Sequence, residues 1–170
     1  MSYTNQSLEN NIVEIFDKYP IYKLAEKSDE ESIHEILESV SMKLSSEIEL
    51  CYSRRQDLWN SFEESLQSPL IFMDREKKCS MGVLSETKLY LKNKLITAYY
   101  ASDLRIARSA PIEVRRQFKN CYLDIISQVK DFCYTSILKQ NVRALRTLTS
   151  KRSPFFYNEL CEYVTRTIAI

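Results

Sequence analysis

Glycine occurs once in this chain, at Gly82, and proline occurs four times, at positions 20, 69, 111 and 154. Both residues mark turns, because glycine adopts positive φ readily and proline lacks an N–H and disfavours helix in the residue before it. A chain of 170 residues with so few breaks, 44% hydrophobic and 28% charged, is typical of long helices. This composition excludes collagen-like, linker-rich and disordered chains, and the length predicts one core with at most a small appendage.

The spacing of apolar residues predicts two helices in the first third of the chain. The first covers Leu8–Lys18 and ends before Pro20, where the residue preceding the proline cannot continue a helix easily. A capping-box pattern from Ser28 to Glu31 predicts the start of the second helix, which continues toward Trp59. Residues 67–85 contain a proline, the glycine and a mixed-charge patch, and they are interpreted as a loop with one helical turn.

Two further helices are predicted in the second half. The third begins near Ser85 and ends before Pro111, because apolar residues recur there in steps of three and four. The fourth begins at Pro111, a favourable first helical position, and continues to Phe132. The predicted fold class is therefore mainly α, an antiparallel helical bundle with a small C-terminal appendage.

The pattern changes after residue 138. Residues 142–148 alternate in a way that permits one short β-strand or hairpin, and Ser153-Pro154 separates them from the apolar closing segment Leu160–Ile170. About 30 residues cannot form a core by themselves. We therefore predict a helical bundle domain over residues 1–138 and a short C-terminal docking segment over residues 139–170.

Charge is divided along the chain. Residues 1–66 carry a net charge of −8 and residues 67–170 a net charge of +9. This asymmetry indicates either two halves that fold against each other, or partners of opposite sign, or simply solvated helix faces. The cations that could contact phosphate are Lys88, Lys92, Arg115, Arg116 and Lys119.

Residues suited to catalysis are scarce. The only histidine, His34, lies in the first turn of the second predicted helix, and glycine-rich phosphate loops, H-E-x-x-H and G-x-S-x-G are absent. Five cysteines without a C-x-x-C pair do not form a zinc site and are expected to be reduced thiols of cytosol or nucleus. We predict no enzyme, no catalytic residue, no cofactor, no metal and, without a long apolar run, no membrane segment.

Several segments carry a family resemblance in the order in which they follow one another. They are residues 31–40, residues 92–94 with Tyr99-Tyr100 and Arg105, residues 118–126, residues 142–145, residues 153–156 and residues 160–170. Together they resemble the Psf-one subunit of the GINS complex. The resemblance implies a non-catalytic scaffold subunit of a nuclear heterotetramer that supports the replicative helicase in eukaryotic DNA replication. The partners it implies are the sister GINS subunits, the Mcm ring, a Cdc replication factor and polymerase epsilon, with any contact to DNA indirect.

Eleven tyrosines support an interaction role, because tyrosine combines apolar area with a polar tip and is enriched at interfaces. The predicted partner contacts are Tyr99, Tyr100, Arg105, Tyr122, Ile126, Val142, Phe155, Phe156 and Tyr163. Two alternatives remain open from the residues alone. One is another helical protein-protein interaction adaptor, including a pathogen-encoded one, and the other is a small basic nucleic-acid binder.

Overall fold

The computed structural model describes residues 3–39, 42–43, 49–50, 59, 69–129 and 132–149. The helices are α1 (Tyr3–Lys18), α2 (Glu30–Ser39), α3 (Ile112–Ser127) and α4 (Val142–Thr149), with a 3-10 turn at Lys27–Asp29. The strands are β1 (Tyr22–Leu24), β2 (Met42–Lys43), β3 (Glu49–Leu50), β4 (Pro69–Asp74), β5 (Ser80–Leu91), β6 (Lys94–Ile106) and β7 (Phe132–Tyr134). The chain divides into two compact units, Met1–Ser136 and Ile137–Ile170. Of the described elements, α4 alone belongs to the second unit.

A five-stranded mixed sheet organises the first unit, with the strand order β1-β4-β5-β6-β7. The pairs from β1 to β6 are antiparallel, whereas β7 pairs with β6 in parallel. The predicted helical bundle is therefore wrong, and the fold class is a mixed sheet covered by helices. The short strands β2 and β3 form a separate two-stranded ladder.

Strand β4 lies inside the segment that the sequence predicted as a loop. Its residues Leu70, Ile71, Phe72 and Met73 form a continuous apolar run, and all four are buried. Such a run is typical of a strand covered on both faces. Pro69 begins the strand, where its missing N–H costs little.

Strands β5 and β6 replace the predicted third helix. They form a hairpin joined by Lys92 and Asn93, whose φ angles of 50° and 62° are those of a two-residue type I′ turn. Apolar residues at helical steps, such as Leu91 and Leu95, instead lie on opposite strands of this hairpin. The prediction failed because the run is also rich in threonine, tyrosine and isoleucine, which favour strands.

Helices cover both faces of the sheet. On one face, α1 packs against α3, and Phe118 of α3 stacks on Phe72 of β4 with ring centroids 5.9 Å apart. The ring of Tyr22 completes this aromatic cluster, and its hydroxyl donates a hydrogen bond to the carbonyl of Val114 at 3.0 Å. On the other face, Ile33, Ile36 and Leu37 of α2 form a buried cluster with Ile71, Met73, Met81 and Val83.

The helix ends test the remaining predictions. The end of the first helix at Lys18 is confirmed, although it begins at Tyr3 rather than Leu8. The fourth begins at Ile112, one residue after the predicted Pro111, which is its N-cap. The second predicted helix is wrong in extent, since α2 ends at Ser39 and β2 follows at Met42–Lys43. The fourth ends at Ser127, and Phe132 belongs to β7 rather than to a bundle seam.

In the second unit, residues 142–149 form α4 and not the strand that their alternation permitted. The side chain of Asn141 accepts a hydrogen bond from the N–H of Ala144 at 3.1 Å, which is a helix N-cap. The use of residues 139–170 as a docking segment stays a prediction.

Candidate functional site

Strands β6 and β7 are paired over only three residues. The ladder runs from Ala98 with Phe132 to Tyr100 with Tyr134, but β6 continues to Ile106. Among the described residues, no strand pairs with this side of β6 beyond Tyr100. We call this open stretch, from Ala101 to Ile106 on one side and Tyr134 on the other, the β6–β7 cleft. Its backbone edge can donate and accept hydrogen bonds.

A β-bulge lies in the wall of the cleft. Met81 pairs with Arg105 and Val83 with Ser102, so three steps along β6 match two along β5. Asp103 in the bulge has a φ of 48°, an uncommon angle for a residue other than glycine. Bulges redirect side chains and backbone groups and are over-represented next to active sites.

Gly82 of β5 makes the bulge possible. A Cβ atom at this position would lie 2.4 Å from Cζ of Phe72 and 2.9 Å from Cδ2 of Leu104. The absence of a side chain therefore lets the aromatic cluster and the bulge approach the same point of the sheet. This explains why the single glycine of the chain stands here rather than in a turn.

Polar side chains gather at the bulge. Arg105 is buried, and its Nη2 lies 3.6 Å from Oδ1 of Asp103. The hydroxyl of Ser102 donates to Oδ2 of Asp103 at 3.5 Å. Buried charges of this kind need partners, and Asp103 and Arg105 are partners within the bulge.

The loop after β6 leads directly into α3. None of residues 107–111 has positive φ, so ordinary residues form this turn without glycine. The Nε of Arg115 donates to the carbonyl of Ala110 at 2.9 Å, and its Nη2 donates to the carbonyls of Ala107 and Arg108. Arg115 therefore binds the loop through its backbone carbonyl groups.

The first turn of α3 is exposed to solvent and carries a partial positive charge. Its leading N–H groups have no partner within a helix, and the helix dipole makes this end attractive to anions. Ile112 is 75% exposed here, and the exposed Arg108 and Arg116 lie before and directly after this turn. Glu113 is the one acidic residue of the turn.

Two tyrosines stand where the paired strands part. The ring centroids of Tyr100 and Tyr134 are 5.0 Å apart, and the ring of Phe132 stacks on that of Tyr134 at 6.2 Å. Burial, with smaller contributions from Tyr100 and Cys133, raises the pKa of Tyr134 above its usual value. The phenol at this position carries a proton that it can donate.

The described cysteines are poor nucleophiles. Burial raises the pKa of Cys133 to about 11, and it raises the pKa of Cys121 to about 12. Burial and the carboxylate of Asp74 raise the pKa of Cys79 to about 11. Because the thiolate is the reactive form, a covalent intermediate on any of these three is disfavoured.

The structure places the predicted partner contacts mainly inside the first unit. Tyr99, Arg105, Tyr122 and Ile126 are buried, and Tyr100 is half-buried beside Tyr134. Val142 begins α4 and is 48% exposed. The remaining predicted contacts, Phe155, Phe156 and Tyr163, lie outside the described residues. Their use as partner contacts stays a prediction.

The five predicted phosphate contacts are divided between two places. Lys88 and Lys92 lie on the β5–β6 hairpin before β6 begins, whereas Arg115, Arg116 and Lys119 lie on α3 after β6 ends. The open β6 edge and the bulge were not predicted, and Tyr134 was not among the predicted site residues. Sequence cues did exist: two residues suited to a tight turn, Lys92-Asn93, stand between two runs rich in strand-forming residues.

Solved structures with the same architecture are known. A transcriptional regulator from Bacillus halodurans C-125 matches with a TM-score of 0.56 at 14% identity, over 86% of this chain and 98% of its own. The aminoglycoside antibiotic 6′-N-acetyltransferase from Acinetobacter haemolyticus matches with a TM-score of 0.53 at 11% identity, over 87% and 99%. Glucosamine-6-phosphate N-acetyltransferase from Arabidopsis thaliana matches with a TM-score of 0.50 at 16% identity, over 82% and 97%. The chain has the acetyltransferase fold.

This fold corrects the functional predictions. A mixed sheet of this kind is not the helical Psf-one subunit of GINS, so the resemblance and the non-catalytic scaffold role that it implied are wrong. The prediction that the chain is not an enzyme is likewise contradicted, since several structures with this fold are acetyltransferases. Nothing supports the sister GINS subunits, the Mcm ring, the Cdc factor or polymerase epsilon as partners.

No protein-family model and no curated protein matches the chain in sequence. The part of the chain described by the structure contains no helix long and apolar enough to cross a bilayer. Within those same residues there is no group of three or more His, Cys, Asp or Glu side chains arranged to hold a metal ion.

Proposed function

We propose that this protein transfers an acyl group, acetyl in the first instance, from a coenzyme A thioester to a nucleophile such as an amine. The observation that carries the proposal is the early parting of two parallel strands, at Tyr100 and Tyr134, beside a strand that leads into a helix N-terminus. In open α/β sheets, ligands bind outside the carboxyl ends of parallel strands where the topology changes. The likeness to acetyltransferases of the same fold supports this reaction class.

The groups around the cleft fit the donor. Coenzyme A supplies an acyl group activated as a thioester, on an amide-bearing arm that continues into a pyrophosphate. The open edge of β6 from Ala101 to Ile106 offers backbone groups to the amides. The first turn of α3, with Arg108 and Arg116 exposed beside it, suits the pyrophosphate.

The chain's own residues then have distinct tasks. In this proposal, Tyr134, at the point where the two strands part, donates its phenolic proton to the sulfur that leaves when the thioester bond breaks and the new bond to the nucleophile forms. The nucleophile's own proton passes to water, from which Tyr134 is reprotonated. The high pKa of Cys133 favours direct transfer between the two substrates over a thioester on the protein.

Binding is the first test. Titration of coenzyme A into the full chain by isothermal calorimetry should give a single site, and the ligand should raise the midpoint of thermal unfolding. Replacing Arg116 by Glu near the start of α3 should weaken binding about tenfold or more. The change removes a cation that attracts the phosphates and adds an anion that repels them.

The matched control is Lys77→Glu, which makes the same change of charge in the exposed turn between β4 and β5. It should leave binding unchanged. A chain that shows no binding of coenzyme A by calorimetry at millimolar ligand, while its circular dichroism is that of a folded α/β protein, would contradict the proposed function.

A further inference from the structure

The tip of the β5–β6 hairpin projects beyond the rest of the sheet. Pairing of β4 with β5 ends at Ser85, and pairing of β7 with β6 begins at Ala98. Residues 86–97 between these points form a two-stranded ribbon, which we call the hairpin tip. Among the described residues, no third strand pairs with either of its edges.

The hairpin tip exposes large apolar side chains. Tyr90 and Leu95 face each other across the two strands and are 78% and 56% exposed, and Leu91 is 52% exposed. Solvent-exposed apolar groups that cluster in this way mark interaction surfaces. Lys92 and Lys94 flank them and are exposed. Lysines at open strand edges oppose strand addition, so a partner would contact the side chains rather than extend the sheet.

A groove of complementary character lies on α1. It is lined by Val13, Phe16, Asp17, Pro20 and Arg75 and has a volume of about 500 Å³. Val13 is 51% exposed at its rim, which leaves apolar area open to solvent. The groove is shallow and open to solvent, and its volume leaves room for the side chains of Tyr90 and Leu95.

The charges around the groove are opposite to those of the hairpin tip. Glu9, Glu14 and Asp17 are exposed along α1. Among the nearby cations, Lys18 is paired with Asp124 at 2.6 Å, whereas Arg75 keeps its charge while its Nε donates to the carbonyl of Tyr22 at 2.9 Å. The three carboxylates outnumber this one cation, so the rim of the groove attracts Lys92 and Lys94.

The hairpin tip cannot reach the α1 groove of its own chain. The groove lies beside Arg75, next to the start of β5 at Ser80, whereas the hairpin tip lies at the far end of β5. Twelve strand residues span roughly 35–40 Å. An occupant with the chemistry of the hairpin tip must therefore come from another molecule.

We propose that the occupant is a second copy of this chain, with the hairpin tip of each copy seated in the α1 groove of the other. Each copy has its tip and its groove at opposite ends of β5. When two copies lie antiparallel, each tip faces the groove of the other copy, so both contacts can form at once. Such a mutual exchange is isologous and closes as a two-fold dimer. Tyr90 and Leu95 fill the groove, and Lys92 and Lys94 meet Glu14 and Asp17.

Sedimentation velocity of the full chain tests this arrangement. The wild type should sediment with twice the monomer mass of 20.1 kDa. The tip variant Lys92→Glu/Lys94→Glu should weaken the dimer about tenfold to a hundredfold, and so should the groove variant Glu14→Lys/Asp17→Lys. The control Lys77→Glu/Lys119→Glu changes the same amount of charge elsewhere on the surface and should remain dimeric.

Mixing the two weakened variants gives the sharpest outcome. In the mixed dimer, an acidic tip meets a basic groove and a basic tip meets an acidic groove, so both contacts are restored. The mixture should therefore regain the wild-type dimer, although each variant alone is monomeric at the same concentration.

A third variant tests the apolar part of the contact. Tyr90→Ser/Leu95→Ser should also be monomeric, with a circular dichroism spectrum close to wild type because both side chains are largely exposed. A wild type that is monomeric at its highest soluble concentration overturns the proposal. So does a dimer that survives in both charge variants, a mixture that stays monomeric, open polymers, or a monomer whose tip binds nucleic acid.

Discussion

The rings of Tyr100 and Tyr134 lie 5.0 Å apart at the last residue pair that joins β6 to β7. The contact holds the two parallel strands together at the point where they part. It also places one phenol at the inner end of an open backbone edge. The half-buried position of Tyr134 therefore follows from the same register that opens the cleft.

Replacing Tyr134 by Phe should lower kcat for acyl transfer by about a hundredfold, because the leaving sulfur loses its proton donor. The ring is retained, so stacking on Tyr100 and the KM for the donor should change little. The measurement is the release of coenzyme A from acetyl coenzyme A in the presence of a panel of primary amines. Tyr100→Phe is the matched control and should keep most of the activity. Equal losses in the two variants would contradict a special role for the Tyr134 hydroxyl.

Gly82→Ala should destabilise the fold by about 1–3 kcal/mol, because the new methyl group would overlap the ring of Phe72 and the side chain of Leu104. Urea unfolding measures the loss. A Leu at position 72 removes the ring atoms nearest Gly82, so Gly82→Ala should cost less in a Phe72→Leu background than in the wild type. Strictly additive effects of the two changes would show that the ring is not the obstacle.

Asp29 should make stability depend on pH in the acid range. Burial alone would raise the pKa of Asp29, but hydrogen bonds from the N–H of Glu26 and the ammonium of Lys23 outweigh it, so the pKa is lowered. A lowered pKa means stabilisation that is complete above the unfolded-state pKa of about 3.9 and is lost as the pH falls through the folded-state value. Asp29→Asn should reduce the free energy of unfolding at pH 7 by about 1–3 kcal/mol.

The same variant should also flatten the fall in stability below about pH 4. Urea unfolding between pH 7 and pH 3 provides the measurement. Glu38→Gln, at an exposed position on α2, is the control and should keep the wild-type slope. A wild-type slope in Asp29→Asn as well would show that the carboxylate is not stabilised in the fold.

The described cysteines should react slowly with iodoacetamide in the native protein. A thiol with a pKa near 11, as for Cys79 and Cys133, has roughly 300-fold less thiolate at neutral pH than a free cysteine. Peptide mass spectrometry after timed alkylation at pH 7.5 should show both labelled rapidly only in urea. Fast native labelling of Cys133 would contradict its raised pKa and would support a thioester on the protein.

Local sequence rules located the helix boundaries near prolines. The end of α1 at Lys18 precedes Pro20, and α3 begins directly after Pro111. Both follow from the geometry of the proline ring and the missing N–H, which act on neighbouring residues whatever the rest of the chain does. The N-cap at Asn141 is also a local signal for the start of a helix. The alternating pattern of the residues after it nevertheless predicted a strand where the structure has α4.

Strand partners are decided by distant residues. Tyr22 pairs with Asp74, and Glu86 pairs with Tyr99 across the β5–β6 hairpin. The spacing of apolar residues in this hairpin is similar to that of one long helix. Residues that favour helix or strand weakly adopt whichever structure lets them bury their apolar face, and that depends on the whole sheet. This is why the predicted third helix and the loop over residues 67–85 were wrong.

By itself, the sequence determined a single main core, few tight turns, and the places where helices must stop, because these depend on composition and on local backbone geometry. Tertiary structure alone decided the parallel register of β6 and β7, the bulge opposite Gly82 and the meeting of Tyr100 with Tyr134. These features arise where segments far apart in the chain pack together. The physical reason is that hydrogen-bond register and close packing are properties of pairs of strands, and no single segment encodes its partner.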